Sequence, residues 1–391
     1  MSGRSTVGFL DVGNEDDACD KKHGLWNARF VPLDEIATNQ IVDGVLEHRI
    51  DWLQAQCDRA DKAVLVLEDG VSSPIPLFVH DGQIDFDLGE IALGNIKVRR
   101  HVLVGNFTDT VVTDWVGPFS VLAQKITGNP VIFLLGVVRD ERLHRTLSES
   151  GLRKCFYVLQ HGGGYKRRLC SIGSGFDDYL GSLSAKSRQS MKRSLRRFEA
   201  NFAGRFAFKV YMSPPEVAEF LDAVEAVSKR TYQGRMLGLA ITREGHIGNR
   251  VVEGAQRGYT RCYLLTVDEK PIAWRIGFQS GGVFCSHHIG YDPDFEDWHP
   301  GVLMHLYSIR HMTEVLRDVS VLDLLYGDND FKRRASNLSR DEQNYYLIPR
   351  TFRGALTYTC LWACNATSGL IGRVLEGAGL KARLKTALRR G

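Results

Sequence analysis

The chain has 391 residues, 43% of them hydrophobic and 25% charged, a composition typical of a folded globular protein. A chain of this length is expected to form two domains. Its formal net charge is only +4, which argues against a dedicated nucleic-acid-binding protein, so we expect no nucleic acid among its partners. Positive charge is concentrated after residue 350, where seven Lys or Arg residues accompany a single acid.

The eight cysteines include no C-x-x-C pair and no spacing typical of zinc ligands, so the sequence predicts free thiols, a reducing compartment and no metal site. The N-terminal stretch carries acids throughout and lacks the apolar core of a signal peptide. No window of 18 uninterrupted apolar residues predicts a transmembrane helix. These features together favour a cytoplasmic protein.

The first part of the chain alternates between strand and helix patterns. Residues 1–25 are polar and are expected to form a loose lead-in, and residues 33–59 carry apolar positions at helical spacing. The glycines at 162–164 lack the Gly-Lys-Ser/Thr ending of a phosphate loop, so they predict a hinge or tight turn. The remaining predicted elements are strands at 62–69, 74–78, 83–86 and 98–104, a helix at 115–126, a buried strand at 131–138 and a charged helix at 139–149.

The second part begins with a basic helical pattern at 177–197, broken near residues 181–184. Its basic side chains fit either a solvated face or a surface that attracts an anion. After a strand at 206–211, the capping box from Ser213 to Glu216 begins an amphipathic helix. A polar, glycine-containing stretch spans 231–248, and further strands are predicted at 261–267, 271–278 and 283–289.

The stretch from Tyr291 to Lys332 organises this second part. It predicts an acidic loop closed by Pro300 and Gly301, then a helix, a short strand and a turn. The start of that helix is a candidate phosphate site, because its first N–H groups lack helical partners and the dipole is positive there. An ordinary strand–loop–helix unit fits the same pattern. The predicted bounds are 302–316 for the helix, 321–325 for the strand, 326–329 for the turn and 345–348 for a last strand.

The sequences YDPDF from residue 291, HPGVLMHLY from residue 299 and YGDNDFK from residue 326 resemble the acyl-CoA-binding half of a GNAT acetyltransferase. The branch they resemble is that of the CelD-like proteins of bacterial cellulose and exopolysaccharide clusters. FDDYLGSLSAKSRQSMKRSLRR at 176–197 resembles that branch's entry into its catalytic domain. The resemblance covers about residues 154–350. The chain departs from it at His299, Lys229 and Phe331, where the family usually has a small residue, an aromatic residue and a tyrosine.

This resemblance implies an α/β (α+β) fold with tandem GNAT-like domains, each a mixed, mostly antiparallel sheet flanked by helices. We expect a degenerate domain at 26–153, a catalytic acyltransferase domain at 154–350 and a basic helical tail at 351–391. In the family two strands splay apart around the pantetheine arm of acyl-CoA, and here they would be 283–289 and 321–325. The implied co-substrate is acetyl-CoA, and the residues implied to bind it are Trp298, His299, Pro300, Gly301, Val302, Asp328, Phe331 and Lys332.

Acyl transfer from a thioester needs a well-placed acceptor, a polarised carbonyl and removal of a proton, but no nucleophilic triad. His287, His288 and Asp330 are the candidate bases. Neighbours on a strand point to opposite faces, so at most one histidine is expected to face the cleft, and each also fits a structural role. The resemblance implies that Tyr291 protonates the leaving thiolate, although a half-buried aromatic at a strand end fits equally well. Asp328 is likewise compatible with helix capping.

The sequence thus favours an acyl-CoA-dependent N- or O-acyltransferase acting on a small molecule or an envelope-polysaccharide precursor. Two alternatives stay open: a Fem-type aminoacyltransferase that takes its donor from charged tRNA, and a non-catalytic scaffold in an exopolysaccharide system. No long coiled-coil arm is evident, which disfavours the Fem-type alternative. The tail mixes Trp362, Leu370 and Val374 with cations, so it predicts either a helix docked on the protein or peripheral contact with the inner face of the membrane.

Overall fold

The computed structural model describes residues 27–32, 63–68, 75–88, 91–104, 115–125, 131–231 and 240–377. The lead-in predicted at 1–25, the helical pattern at 33–59 and the last part of the tail lie outside the described residues.

The strands in the described part of the chain form one large sheet, and all neighbouring pairs are antiparallel except two. The order across the sheet is β1-β2-β3-β4-β5-β12-β6-β11-β10-β9-β8-β7. The strands are β1 (Asn27–Pro32), β2 (Ala63–Glu68), β3 (Ile75–Leu88), β4 (Ile91–Val104), β5 (Val131–Val138), β6 (Phe156–Ser171), β7 (Phe206–Tyr211), β8 (Thr260–Val267), β9 (Lys270–Ser280), β10 (Val283–Tyr291), β11 (Val321–Asp323) and β12 (Leu338–Pro349).

This strand order is symmetric about the centre of the sheet. The parallel pairs β4–β5 and β10–β11 take equivalent positions when the order is followed inward from the two edges. The two halves also exchange a strand, because β6, which follows β5 in the chain, lies beside β11, whereas β12 lies beside β5. The predicted fold class, tandem halves of mixed and mostly antiparallel sheet flanked by helices, is therefore confirmed. The domain boundaries stay predictions, since one sheet joins both halves.

Helices cover both faces of this sheet. They are α1 (Val116–Lys125), α2 (Arg142–Thr146), α3 (Ser150–Cys155), α4 (Phe176–Ser182), α5 (Ala185–Asn201), α6 (Pro214–Arg230), α7 (His246–Gln256), α8 (Pro300–His311), α9 (Asp330–Ala335) and α10 (Phe352–Gly377). A 3-10 turn (Pro293–Trp298) precedes α8 and a π-helical turn (Met312–Leu316) extends it. The capping box predicted for α6 is present, with Glu216 Oε2 accepting a hydrogen bond from Ser213 N at 2.8 Å.

The second half buries an apolar core on each face of the sheet. On one side, α4, α5 and α8 pack around side chains such as Phe198 and Leu303, and we call this side the α8 face. On the other side, α6 and α7 pack around Phe220 and Val251, and we call it the α7 face. Removal of this apolar surface from water is the main force that holds the layers together. α10 covers part of the first half, where Leu361 is buried against β3, β5, β6 and β12.

Several local predictions are wrong. The strands predicted at 74–78 and 83–86 are one continuous strand, β3, because it pairs with β4 along its length. The glycines at 162–164 form no hinge or turn: they lie inside β6, where the register with β12 shifts, and Gly162 has a φ of 66°. The polar stretch at 231–248 leads into an unpredicted helix, α7, which buries Val251 and Ala255 on one face. The predicted charged helix at 139–149 is replaced by α2 and α3.

Candidate active site

The two strands of the parallel pair β10–β11 separate after three paired positions. Pairing ends at Cys285 and Asp323. Beyond this point β10 continues to Tyr291. The segment after β11 instead stays beside β6, because Leu324 N donates a hydrogen bond to Arg168 O at 3.0 Å. The result is a gap in the sheet between the strands that the sequence analysis expected to splay.

Asp323 fixes the point at which the strands diverge. Its buried carboxylate accepts hydrogen bonds from Leu325 N at 2.7 Å and from Arg167 Nε at 2.7 Å. Leu325 has a φ of 59°, in the left-handed region that a leucine rarely adopts, so the bond that its N–H donates to Asp323 stabilises an otherwise unfavourable turn. Arg167 Nη1 also lies 3.8 Å from Glu342 Oε2. A buried charged row therefore crosses β11, β6 and β12 at the base of the gap.

A cleft of about 650 Å³ lies at this gap, mostly on the α8 face, and reaches Thr231 at the end of α6. Its lining is mostly apolar with a few polar groups, which is typical of a ligand site. Half of the site residues predicted from the sequence line it: Tyr291, His299, Pro300, Gly301, Val302 and Phe331. The wall is completed by Thr231, Ile289, Gly290, Pro293 and Glu296.

The start of α8 is tighter than the sequence predicts. His299 has a φ of 54°, and its carbonyl oxygen accepts hydrogen bonds from Val302 N at 2.9 Å and Leu303 N at 3.2 Å. Two N–H groups of the first turn are therefore already bonded within the chain. A Cβ atom added to Gly301 would meet no atom within 4 Å, so the backbone there faces open space. The open backbone at Gly301 and the positive end of the helix dipole are the features that favour an anion.

The loop before α8 is held from two sides. Arg230, at the end of α6, pairs with Asp292 at 3.1 Å and with Asp294 at 2.6 Å. Arg197 of α5 lies over the ring of Trp298, with its guanidinium carbon 4.4 Å from the ring centroid. Trp298 is not among the residues that line the cleft, so it supports the loop from behind.

A β-bulge interrupts β10 beside the gap. The register skips one residue between Ser286 and His288, which leaves His287 as the extra residue. Both imidazoles lie on the α7 face, because His287 packs edge-on against Phe278 at 5.0 Å and His288 is the cross-strand partner of Ile276. The expectation that the two histidines point to opposite faces is wrong, since the bulge shifts the alternation of side chains by one residue.

The surroundings of His287 keep its ring neutral. Burial lowers its pKa well below the usual value, and the positive charges of Arg250 and Arg167 act in the same direction. A neutral imidazole at pH 7 can accept a proton.

The other two predicted catalytic residues differ in position. Tyr291 lines the cleft at the end of β10 and is 38% exposed. Asp330 begins α9, and its highly exposed carboxylate forms an ion pair with Arg333. The structure therefore brings Tyr291 to the cleft and leaves Asp330 on the outer surface of α9.

Asp328 is held by cations and does not cap α9. It pairs with Arg168 and with Arg333, each at 3.0 Å, and these contacts lower its pKa. The cap is Asn329, whose Oδ1 accepts a hydrogen bond from Lys332 N at 2.8 Å, so the capping alternative for Asp328 is wrong.

Lys332 and Phe331 face different surroundings. Lys332 is half-buried, its ammonium donates to Tyr326 O at 2.8 Å, and burial lowers its pKa. Phe331 lies in the wall of the cleft, with its ring 5.4 Å from the ring of His305.

A buried polar chain behind Phe331 was not predicted from the sequence. Arg275 Nη2 donates a hydrogen bond to His305 Nδ1 at 3.3 Å. His305 Nε2 donates to the hydroxyl of Tyr179 at 2.7 Å, and that hydroxyl donates to Ala335 O at 2.6 Å. These directions follow because a guanidinium only donates and the single tyrosine hydrogen is used on a carbonyl. Burial, reinforced by Arg275, lowers the pKa of His305 well below its usual value. No local sequence pattern marks these residues, which come from distant segments.

Residues 185–333 match the family model described as an acetyltransferase (GNAT) domain. This segment contains the gap, the cleft and every predicted site residue. No curated protein matches the chain.

Solved structures resemble the chain at low sequence identity. FemX is 10% identical, covers 82% of this chain and 97% of its own, and superposes with a TM-score of 0.55. A tandem GNAT protein from the clavulanic acid biosynthesis pathway is 9% identical over 83% of this chain and 98% of its own, with a TM-score of 0.41. A conserved protein of unknown function from Bacteroides thetaiotaomicron is 15% identical over 70% of this chain and 86% of its own, with a TM-score of 0.46. The likeness to FemX concerns the fold alone.

The described residues offer neither a metal site nor a membrane span. They contain no group of three or more His, Cys, Asp or Glu side chains placed to hold a metal ion. None of their helices is long and apolar enough to cross a membrane.

Proposed function

We propose that the chain is an acyl-CoA-dependent acyltransferase, specifically an acetyltransferase, that passes the acyl group directly to an amine or a hydroxyl. The observation that carries this proposal is the gap between β10 and β11, with a ligand-sized cleft on one face of the sheet and two histidines on the other. The match of residues 185–333 to the GNAT domain model supports the reaction class.

The cleft fits the donor in size and polarity. Ile289, Val302 and Phe331 provide an apolar wall for a flexible pantetheine arm, and about 650 Å³ is in the range of small-molecule sites. The open backbone at Gly301 and the positive end of α8 suit the pyrophosphate. Asp323 and Arg167 keep the strands apart, so that the thioester can reach the gap.

The acceptor would approach from the α7 face. One of the two histidines beside the gap takes the proton from the attacking nitrogen or oxygen, and the depressed pKa of His287 keeps that ring unprotonated at pH 7. The new bond forms to the thioester carbonyl carbon as the carbon–sulfur bond breaks. Tyr291, in the wall of the cleft, supplies a proton to the departing thiolate.

A Fem-type aminoacyltransferase is the second candidate, because the fold resembles that of FemX. It would take its acyl group from charged tRNA instead of CoA. A non-catalytic scaffold is the third candidate, and it would need neither donor.

Isothermal titration of the full chain with acetyl-CoA and, separately, with charged tRNA tests these candidates. Acetyl-CoA binding at micromolar concentration is the expected result. Binding of charged tRNA without binding of acetyl-CoA would replace the proposal with the Fem-type function. Binding of neither would support the scaffold.

The resemblance to the CelD-like branch supports a more specific assignment. We propose an acceptor that is a small molecule or a precursor of an envelope polysaccharide, and a location in the cytoplasm at the inner face of the membrane. The exposed apolar side chains of α10 and the basic end of the chain support peripheral membrane contact.

A further inference from the structure

A second, smaller pocket lies beside the cleft, between α5, the start of α8 and α9. Its volume is about 80 Å³, which leaves room for several water molecules or a group of similar size, but not for a ring system of nucleotide dimensions. Three wall residues are shared with the cleft: His299, Val302 and Phe331. The pocket is therefore the immediate neighbour of the cleft on the same side of the sheet.

The pocket carries hydrogen-bonding groups suited to an anion. Ser187, Ser190 and Ser194 lie on one side of α5, and they are joined by the imidazole of His299 and the guanidinium of Arg334. His299 Nδ1 lies 3.2 Å from Ser194 Oγ, which connects α5 to the residue before α8. No carboxylate lines the pocket. The single acid of the larger site, Glu296, is in the cleft wall only.

The helix that forms one side of the pocket is strongly basic. Its one acid, Glu199, accepts a hydrogen bond from the hydroxyl of Tyr307 at 3.1 Å. Within the part of the chain that the structure describes, no ion pair joins a cation of α5 to a carboxylate, so their positive potential is not neutralised locally. The six cations of α5 are Lys186, Arg188, Lys192, Arg193, Arg196 and Arg197.

We propose that this pocket is a subsite for a phosphate monoester on the donor, the group that distinguishes CoA from 3′-dephospho-CoA. The proposal rests on the proposed function and deepens it. The pocket lies on the α8 face with the cleft, whereas both histidines lie on the α7 face, so the ligand that reaches it is the donor and not the acceptor. A terminal phosphate carries up to two charges and three free oxygens, which hydroxyls and a guanidinium can bind with charge-assisted hydrogen bonds.

The test compares the affinities of CoA and 3′-dephospho-CoA by calorimetry. The wild-type chain is expected to bind CoA about 10-fold or more tightly than 3′-dephospho-CoA, as one or two charge-assisted hydrogen bonds would give. Arg334→Gln and Ser190→Asp should reduce this ratio to near one by weakening CoA binding. The control for Arg334→Gln is Arg333→Gln, which removes the same charge from a neighbour paired with Asp328 and Asp330. The control for Ser190→Asp is Gln189→Asp, which adds the same charge next to the pocket.

The controls should keep the wild-type ratio. A wild-type ratio near one, or a ratio that all four variants leave unchanged, would overturn the subsite while leaving CoA binding intact. If neither nucleotide bound, the proposed function itself would fail, and the subsite with it. All four positions are exposed, so thermal unfolding of each variant should match the wild type.

Discussion

At the scale of single residues, the bulge at His287 changes what two adjacent histidines can do. In a regular strand one ring would face the α8 core, but here both lie beside the gap on the α7 face, from which we propose that the acceptor approaches. Burial lowers the pKa of His287 well below its usual value and nearby positive charges act in the same direction, so its ring stays neutral. Asp330 does not lie beside the gap, because its carboxylate is paired with Arg333 at the surface.

Alanine variants of these three residues separate their roles. Of His287→Ala and His288→Ala, the variant that removes the base should lose about 100- to 10,000-fold in kcat. Asp330→Ala should keep the wild-type rate. If His287 is the base, wild-type kcat should fall on the acidic side as that ring becomes protonated. The base must be unprotonated to accept a proton. Because the pKa of His287 is lowered, kcat should fall at a pH below the ordinary histidine pKa of about 6.5. Equal rates for all three variants would contradict this assignment.

Gly301 offers a direct test of the cleft. A valine side chain there meets open space, so Gly301→Val should fill the donor's path without straining the fold. We expect acetyl-CoA affinity to fall about 10-fold or more, as calorimetry would measure, because the pyrophosphate could no longer approach the backbone. Gly181→Val is the matched control, since Gly181 also lies in a helix, has open space around it and is remote from the cleft. An unchanged affinity in Gly301→Val would place the donor elsewhere.

The residues that the sequence could identify are those that act through neighbours in the chain. His299, Pro300 and Gly301 form one continuous segment, so a local pattern was enough to find them. Arg167 and Asp323 could not be found in this way, because they are 156 positions apart and meet only when β6 and β11 pair.

At the scale of secondary-structure elements, β12 carries a buried acid into the centre of the sheet. Glu342 is 1% exposed, and burial raises its pKa to about 7, with Asp323 acting in the same direction and Arg167 opposing it. The folded state therefore favours the protonated carboxyl more than the unfolded state does.

This shift predicts how stability depends on pH. The pKa of Glu342 is about 7 in the folded state and has its ordinary value of 4.5 in the unfolded state. The stability that its protonated carboxyl contributes is therefore fully present below pH 4.5 and is lost as pH rises through 7. The loss amounts to about 3 kcal/mol in the free energy of unfolding. Urea unfolding at pH 5 and pH 8 should show this decrease in the wild type and in the exposed control Glu149→Gln, and a smaller decrease in Glu342→Gln. Equal decreases in all three proteins would contradict it.

An element with both a start signal and a regular apolar face was predicted well, and elements defined by distant partners were not. The amphipathic helix α6 has both a capping box and a regular apolar face, so its start was found correctly. β11 has only three residues, and its role depends on β6 and β10 on either side. Nothing in the local sequence of β6 or β12 shows that they exchange positions, because pairing across a sheet is set by the whole fold.

At the scale of the whole molecule, the exchanged strands make the two halves depend on each other. The second half needs β6 beside β11 to hold Asp323 in place, and the next strand, β12, completes its sheet only by pairing with β5 of the first half. Residues 154–350 alone would keep β6 and β12 but would uncover the edge of β12, and an uncovered edge favours aggregation. The first half thus has a structural role whether or not it binds a ligand.

The C-terminal region combines exposed apolar side chains with cations. On α10, Phe352 is 88% exposed, Leu356 61% and Trp362 56%, so these side chains are not docked against the protein in the way that Leu361 is. Five of the seven cations after residue 350 follow Gly377. Exposed aromatic groups beside a basic segment suit an anionic membrane surface.

Co-sedimentation with vesicles tests this proposed contact. The full chain should sediment with anionic vesicles at low salt and be released as salt rises, because each cation near the surface contributes about 1 kcal/mol and screening weakens it. Truncation after Gly377 should weaken binding while α10 stays in place, and Trp362→Ser should weaken it further by removing an apolar contact. A full-length protein that stays in the supernatant at low salt would exclude the membrane role. Binding that survives both changes would place the attraction on another basic surface, and the six cations of α5 provide one.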